Sequence, residues 1–391
     1  MAGIRGICHP RFTSVRDRFA DNFAEGRELG ASLCVYQHGE PVVDLWGGLA
    51  AEDRPWRQDT LALLASTTKG MAVAALLLLV DRGILDLDTP VADYWPEFAA
   101  EGKGRMPLRW ILGHRSGVVV IDPPLTLDDI ERGSPVADAL ACARPAWRPG
   151  SAHGYHCLTL GWLVSEVVRR VTGLTVGRLF AREIAAPLGL DLHIGIPAHQ
   201  EGRLASVVAP TAGEVRNGRA DPELHELNRA ICSPASLLHR ATYGSVVLTP
   251  ELLGGSRLYR AEVPSACGVG TAAGLARLYA ALIGEVDGIR LLRPETVARA
   301  RAVEARGRDL VLRLETAYSA GFMLPGGPMW PPFGAPNAFG YAGATGAFAF
   351  ADPDTGLAFA YVPNRMSELI EGSDGRVWPL MRESHRCARG G

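Results

Sequence analysis

What this chain lacks limits it before any motif is read. It has no apolar run long enough to cross a bilayer: the longest, residues 71–80, falls well short of the roughly 20 residues a spanning helix needs and suits a core helix. Its seven cysteines are odd in number and scattered, with no Cys-x-x-Cys pair, so neither a disulfide framework nor a zinc site is indicated. An excess of one charge is missing as well. The formal net charge of −2, with basic residues nearly all arginine, argues against a dominant nucleic-acid surface and a polybasic membrane patch. Residues 1–23 carry Arg5, His9, Arg11, Arg16 and Arg18 without the apolar stretch of a signal peptide. There is no internal repeat, no low-complexity tract and no Gly-x-Ser-x-Gly elbow. These absences set the expectation of a cytoplasmic enzyme that binds no nucleic acid, inserts in no membrane and holds no metal.

What is present is ordinary globular composition, 47% hydrophobic and 21% charged, ample over 391 residues for a large core. The stretch that organises it is Leu64-Ala65-Ser66-Thr67-Thr68-Lys69-Gly70, followed at once by the apolar run 71–80. It reads as a strand ending in a turn, with Ser66 in the first turn of a long buried helix. Residues three apart on a helix share a face, so the Lys69 amine sits beside the Ser66 hydroxyl. A helix N-terminus also favours the negative charge that develops there. Ser-x-x-Lys in that setting is the geometry of a nucleophile activated by an adjacent amine. The competing reading makes Ser66 a helix cap and Lys69 a surface residue, and the rest of the chain has to decide.

Upstream, apolar residues at helical spacing (Phe12, Val15, Phe19, Phe23) predict an amphipathic helix over 12–26. Residues 31–37 and 42–47 read as strands joined across His38-Gly39-Glu40, and 61–64 as a third strand leading into Ser66. Gly83 is placed to end the helix that starts at Ser66. A short helix is expected over 108–113, then helices over 158–171 and 174–188. Thr271 reads as the N-cap of a helix over 272–283. Gly268-Val269-Gly270-Thr271 only loosely resembles a dinucleotide loop, with no clear strand before it and no acidic ribose partner after it, so no cofactor is expected. Residues 346–351 and 357–362 flank Asp352-Pro353-Asp354-Thr355-Gly356 as a hairpin.

Strands at both ends around a helical middle, with Ser-x-x-Lys at a strand-to-helix junction, resemble the serine β-lactamase and DD-peptidase superfamily. The likeness is to its class C β-lactamase-like branch, which includes family VIII carboxylesterases and related acyltransferases. It also rests on Leu112-Gly113-His114-Arg115-Ser116-Gly117, on Trp147-x-Pro-Gly-x-x-x-x-Tyr155, and on Phe339-Gly340-Tyr341-Ala342-Gly343. The resemblance covers nearly the whole chain. It implies an α+β, β-lactamase/transpeptidase-like fold with a central antiparallel sheet flanked by helices and a mostly helical lobe. Residues 1–391 then form a single domain, with an α/β lobe from about 1–70 and 268–391 and a helical lobe from about 71–267. The implied roles are Ser66 as nucleophile, Lys69 as its activating neighbour, and Tyr155 as general base or proton relay. The backbone N–H groups of Ser66 and Ala344 would form the oxyanion hole, and Tyr341 and Gly343 would line the pocket.

Two departures shift the expected substrate. Tyr155-His156-Cys157 stands where β-lactamases usually carry Tyr-x-Asn, so the amide that holds an acylamino side chain is missing. Tyr341 replaces the usual Lys of the third motif, and a neutral phenol does not pair with a carboxylate as an ammonium does. The expectation is therefore a carboxylesterase on small-molecule esters or acyl substrates. An acyltransferase of small-molecule biosynthesis is the alternative, with a weak β-lactamase or peptidase and a silent binding protein less favoured. His156, beside Tyr155, is expected near the substrate, and Trp330 in Met329-Trp330-Pro331-Pro332-Phe333 is expected to border it. His153 and His156 lack a third partner for a metal, and Cys157 reads as a core thiol.

Overall fold

The computed structural model describes residues 3–209, 222–247, 256–366 and 375–390. The first strands are β1 (Arg5–Cys8), β2 (Gly30–Gln37), β3 (Glu40–Ala51) and β4 (Arg54–Pro55). Three two-residue or short segments follow along the chain: β5 (Ala62–Leu63), β6 (Leu192–His193) and β7 (Val269–Gly270). The last are β8 (Val303–Arg308), β9 (Glu315–Ser319), β10 (Phe339–Ala342), β11 (Phe348–Asp352) and β12 (Leu357–Pro363). One antiparallel sheet runs β1-β3-β2-β12-β11-β10, with β4 on β3, so strands from the two ends of the chain meet where β2 pairs β12. The middle of the chain supplies helices.

Every residue of β2, β10, β11 and β12 is buried, because helices cover both faces of the sheet. Cross-strand pairs sort those faces. Phe348 lies opposite Tyr361 and Phe350 opposite Phe359, so all four share a face. On that face Tyr361 meets Phe19 of the Thr13–Ala24 helix, and Phe348 meets Trp378 of the Val377–Ala388 helix. Phe339 and Tyr341 pair with Ala351 and Ala349 and point the other way. There Phe339 packs on Tyr279 of the Ala272–Ile283 helix.

The local expectations are largely met. The His38-Gly39 turn of the β2–β3 hairpin has φ of 51° and 84°, the doubly left-handed form that suits the twist of two antiparallel strands. The 12–26 helix is a short 3-10 turn, Pro10–Phe12, continuing as Thr13–Ala24. The helix behind Ser66 runs Thr68–Asp81, with every residue from Thr68 to Val80 buried, and Gly83 follows it at φ 71°. The 158–171 helix is Thr159–Thr172, and 174–188 is a helix interrupted by a π-type turn, Ala181–Ala185. Two expectations need correction. The 61–64 strand is not in the main sheet: β5 pairs with β7, which also pairs with β6, in a small separate sheet. A strand does therefore precede Thr271, and the neighbouring glycines serve close packing. A Cβ at Gly270 would stand 2.3 Å from Leu192 Cδ2, and one at Gly268 2.6 Å from Thr68. Among the described residues no helix is long and apolar enough to cross a membrane.

Candidate active site

Ser66 sits in a single 3-10 turn, Ala65–Thr67, between β5 and the Thr68–Asp81 helix. Ala65 before it adopts φ 45°, a left-handed conformation that a residue with a Cβ holds only when its surroundings impose it. The surroundings here are hydrogen bonds from both sides. Leu64 N–H donates to Gly268 O (2.9 Å), and Thr68 Oγ1 donates to Ala65 O (2.6 Å) while accepting from Gly268 N–H (3.0 Å). Thr67 Oγ1 donates to Ala347 O (3.2 Å), tying the turn to the β10–β11 connection.

One helical turn on, Lys69 is completely buried. Its Nζ lies 3.1 Å from Ser66 Oγ and donates to Cys157 O (2.8 Å) and Ser265 O (3.0 Å). Nζ also stands 4.7 Å from the centroid of the Tyr155 ring, within the range at which a protonated amine makes a cation–π contact. The helix-period expectation for Ser66 and Lys69 is thus met, and Lys69 is not a surface residue.

Tyr155 is 1% exposed and is held by groups far away in sequence. Its backbone N–H donates to Asp309 Oδ1 (3.1 Å), which also accepts from Val311 N–H and Leu312 N–H, each at 2.8 Å. Tyr318 stacks on the Tyr155 ring at 6.3 Å and 17°. Burial pushes the Asp309 carboxyl up from its ordinary range, against the pull of those three N–H groups and of His153. No motif announced Asp309 or Tyr318.

The Leu112–Gly117 motif supplies His114, at φ 59° and wholly buried. Its partners fix its proton. His156 N–H donates to His114 Nδ1 (3.0 Å), so that nitrogen is an acceptor, and a neutral His114 carries its hydrogen on Nε2. Nε2–H then donates to Tyr341 Oη at 3.0 Å. His156 in turn donates from Nδ1 to Gly154 O (2.8 Å) and accepts at Nε2 from the Ser116 hydroxyl (2.5 Å). Burial and the Lys69 charge push His156 down to about 3, although the bond to Gly154 O opposes them. Burial, then the charges of His156, Lys69 and His153, hold His114 well below its ordinary value.

Gly343 completes the approach to the serine. A Cβ there would stand 2.3 Å from Leu64 O and 3.0 Å from Thr67 Oγ1, so only glycine lets this strand end come so close to the Ser66 turn. Among the described residues neither Ser66 N–H nor Ala344 N–H is spent on another protein group.

The β-lactamase family model matches residues 15–377. This chain belongs to the β-lactamase family. Within the family, the esterase/β-lactamase LipL of Mycobacterium tuberculosis is 36% identical, the match covering 98% of this chain and 89% of LipL. A solved family VIII carboxylesterase superposes with a TM-score of 0.87 at 36% identity, over 98% of this chain and all 100% of the other. A penicillin-binding protein homolog from Caulobacter crescentus gives 0.85 at 37% identity, over 98% and 100%. The family and the fold expected from the motifs are thus shown.

Two expected pocket residues lie elsewhere in this member of the β-lactamase family. Trp330 is 1% exposed and packs on Phe348 and Phe350, across the sheet from Tyr341. An apolar, proline-rich stretch near the third motif reads the same whether it lines a pocket or seals a core. His156 is wholly buried, and both its ring nitrogens are spent on Gly154 and Ser116, so it supports His114 and does not face a ligand. His153 bonds Thr316 Oγ1 at 3.0 Å, and Cys157 Sγ accepts from Thr242 Oγ1 at 3.4 Å.

Proposed function

We propose that this protein is a serine carboxylesterase acting on small, uncharged esters through an acyl-enzyme on Ser66. The observation that carries this reading is the seat of Lys69. A neutral Lys69 amine has a lone pair to take a proton, and its nitrogen, held by bonds to Cys157 O and Ser265 O, lies 3.1 Å from Ser66 Oγ. Ser66 Oγ attacks the ester carbonyl carbon while its proton moves to Lys69 Nζ. The resulting ammonium donates to all three oxygens and lies against the Tyr155 ring. The oxyanion collects at the Ser66 and Ala344 N–H groups, where loss of one donor costs about 100–1000-fold in rate. The proton then passes to the departing alkoxide, with Tyr155 as the relay, and leaves the acyl group on Ser66. Attack by water on the acyl carbon releases the acid and returns the proton to Ser66.

Ester preference over anionic β-lactams is supported by Tyr341. Burial pushes its phenol well above the ordinary value, so it stays neutral and offers no charge to a carboxylate. The whole chain, 1–391, is read as one catalytic unit in which the sheet lobe and the helical lobe meet at Ser66. A cytoplasmic setting is supported by the seven cysteines, none of which forms a disulfide.

The test is a p-nitrophenyl ester series with wild type and Ser66→Ala, with intact-mass detection of the adduct. Short-chain turnover and an acyl adduct are expected in wild type and lost in the variant; equal activity in both sinks the proposal. Nitrocefin turnover is expected to be far slower than ester turnover. Adding an alcohol acceptor and measuring product partitioning separates hydrolysis from acyl transfer.

A further inference from the structure

Resting on the esterase reading, we infer that His114 is a positioning residue whose fixed tautomer commits the Tyr341 hydroxyl to act as a hydrogen-bond donor. The substrate group Tyr341 recognises is accordingly an uncharged acceptor, an ester or carbonyl oxygen, and not an O–H or N–H donor.

Five hydrogen bonds have forced directions. Gly154 O is a carbonyl and only accepts, so His156 Nδ1 carries hydrogen and its Nε2 takes the Ser116 proton. Ser116 Oγ itself accepts from Val118 N–H at 3.0 Å, which leaves its hydrogen for His156. A backbone N–H only donates, so the bond from His156 N makes His114 Nδ1 the acceptor. His114 Nε2–H must then donate to Tyr341 Oη, and the phenol's own hydrogen is turned away from the histidine. Among the described residues that hydrogen has no bonded acceptor.

Tyr341 lies in β10 (Phe339–Ala342), two residues before Gly343, which follows directly on the strand end. Gly343 stands against the Ser66 turn, with Leu64 O, Thr67 Oγ1 and Ala65 Cβ nearest. The His114 ring meets Tyr318 at 4.4 Å and Tyr155 at 5.1 Å, so His114 and the proton relay Tyr155 share one packed cluster. Burial first, then the charges of His156, Lys69 and His153, disfavour a second proton on His114.

Two substitutions separate positioning from mere support. Asn at 114 places a polar atom where Nδ1 stands and keeps an acceptor for His156 N–H, but does not reach Tyr341. Gln reaches the Nε2 position and keeps the donor to Tyr341. His114→Asn is expected to lower kcat/KM on a p-nitrophenyl ester about tenfold, the value of one hydrogen bond. Tyr341→Phe should lose the same factor, the double variant should be no worse than either, and His114→Gln should recover most of the loss. Multiplying losses in the double variant, or full activity in Tyr341→Phe, overturns the proposal. Long-range 1H–15N NMR of wild type gives a readout independent of activity and of any variant's folding. It should report His114 with hydrogen on Nε2 and His156 with hydrogen on Nδ1; hydrogen on His114 Nδ1 overturns the proposal even if the esterase assignment stands. Should Ser66→Ala keep its activity, the esterase reading fails while the NMR result still judges the tautomer.

Discussion

Two lysines stand in this chain, Lys69 and Lys103, and both are fully buried. Lys103 donates to Ala141 O (3.0 Å) and Ala143 O (2.7 Å) at the end of the Ser134–Cys142 helix, and lies 5.2 Å from the Phe98 ring. It is the same arrangement of carbonyls and an aromatic face that surrounds Lys69, without a serine. A buried amine is therefore no catalytic sign by itself; the hydroxyl one helical turn away makes the difference. Asp309 presents the opposite case, a carboxylate that sequence reading passed over and that holds the Tyr155 backbone. Asp309→Ala leaves three buried N–H groups unpaired and is expected to destabilise the protein by about 3 kcal/mol, read from urea midpoints, and to lower kcat. Asp309→Asn keeps the acceptor. Because burial raises the wild-type carboxyl, its contribution to stability is full below its ordinary value of 3.8 and is lost as pH rises through the raised value. The Asn variant lacks that loss, so its stability relative to wild type should improve from acid to neutral pH. A difference that shrinks instead would show the carboxylate to be net stabilising.

The Thr68–Asp81 helix is apolar all round and has no exposed face between Thr68 and Val80, so its neighbours must fit it closely. Gly70 is the tightest point: a Cβ there would stand 2.3 Å from Tyr279 Oη and 3.3 Å from Tyr279 Cζ. That hydroxyl is itself buried without a partner among the described residues. Gly70→Ala is expected to lower stability by about 1–3 kcal/mol through overpacking. Tyr279→Phe removes the clashing atom and should be close to neutral alone while restoring most of the loss in the double variant. Thermal or urea unfolding of the four proteins checks this, and additive effects would refute it. Elements of this length were legible because ten or more residues give a readable period and a stop, as at Gly83. β5 and β7 were not, since two residues carry no period and their pairing is a long-range event.

Across the whole molecule, the two ends of the chain are bound into one sheet and locked by a buried ion pair. Arg376, just before the Val377–Ala388 helix, donates to Glu28 at 2.9 Å, with side chains 6% and 0% exposed. Tyr361 of β12 also donates to Glu28. Arg376→Ala removes the cation paired with a buried carboxylate and is expected to cost about 3–5 kcal/mol, measured by denaturant unfolding. A loss under 1 kcal/mol would mean the pair contributes little beyond packing. The same sheet explains why Trp330 lies apart from the site. Near in sequence to Tyr341, it lies on the side of the Thr13–Ala24 and Val377–Ala388 helices, while Tyr341 faces the Ala272–Ile283 helix.

The sequence by itself determined what depends on local spacing: the Ser66–Lys69 face, the caps and turns, the hairpins, and the motif order that carries the family. Tertiary structure alone decided which groups meet across long separations. Asp309 reaching Tyr155, Cys157 and Ser265 receiving Lys69, and His156 setting the proton of His114 are contacts between segments 40 to 200 residues apart. A strand's two faces look alike in sequence when both are apolar, so only packing could send Trp330 to one side and Tyr341 to the other. Hydrogen-bond direction is equally silent in sequence, because a histidine's tautomer is set by whichever backbone group the fold brings to it.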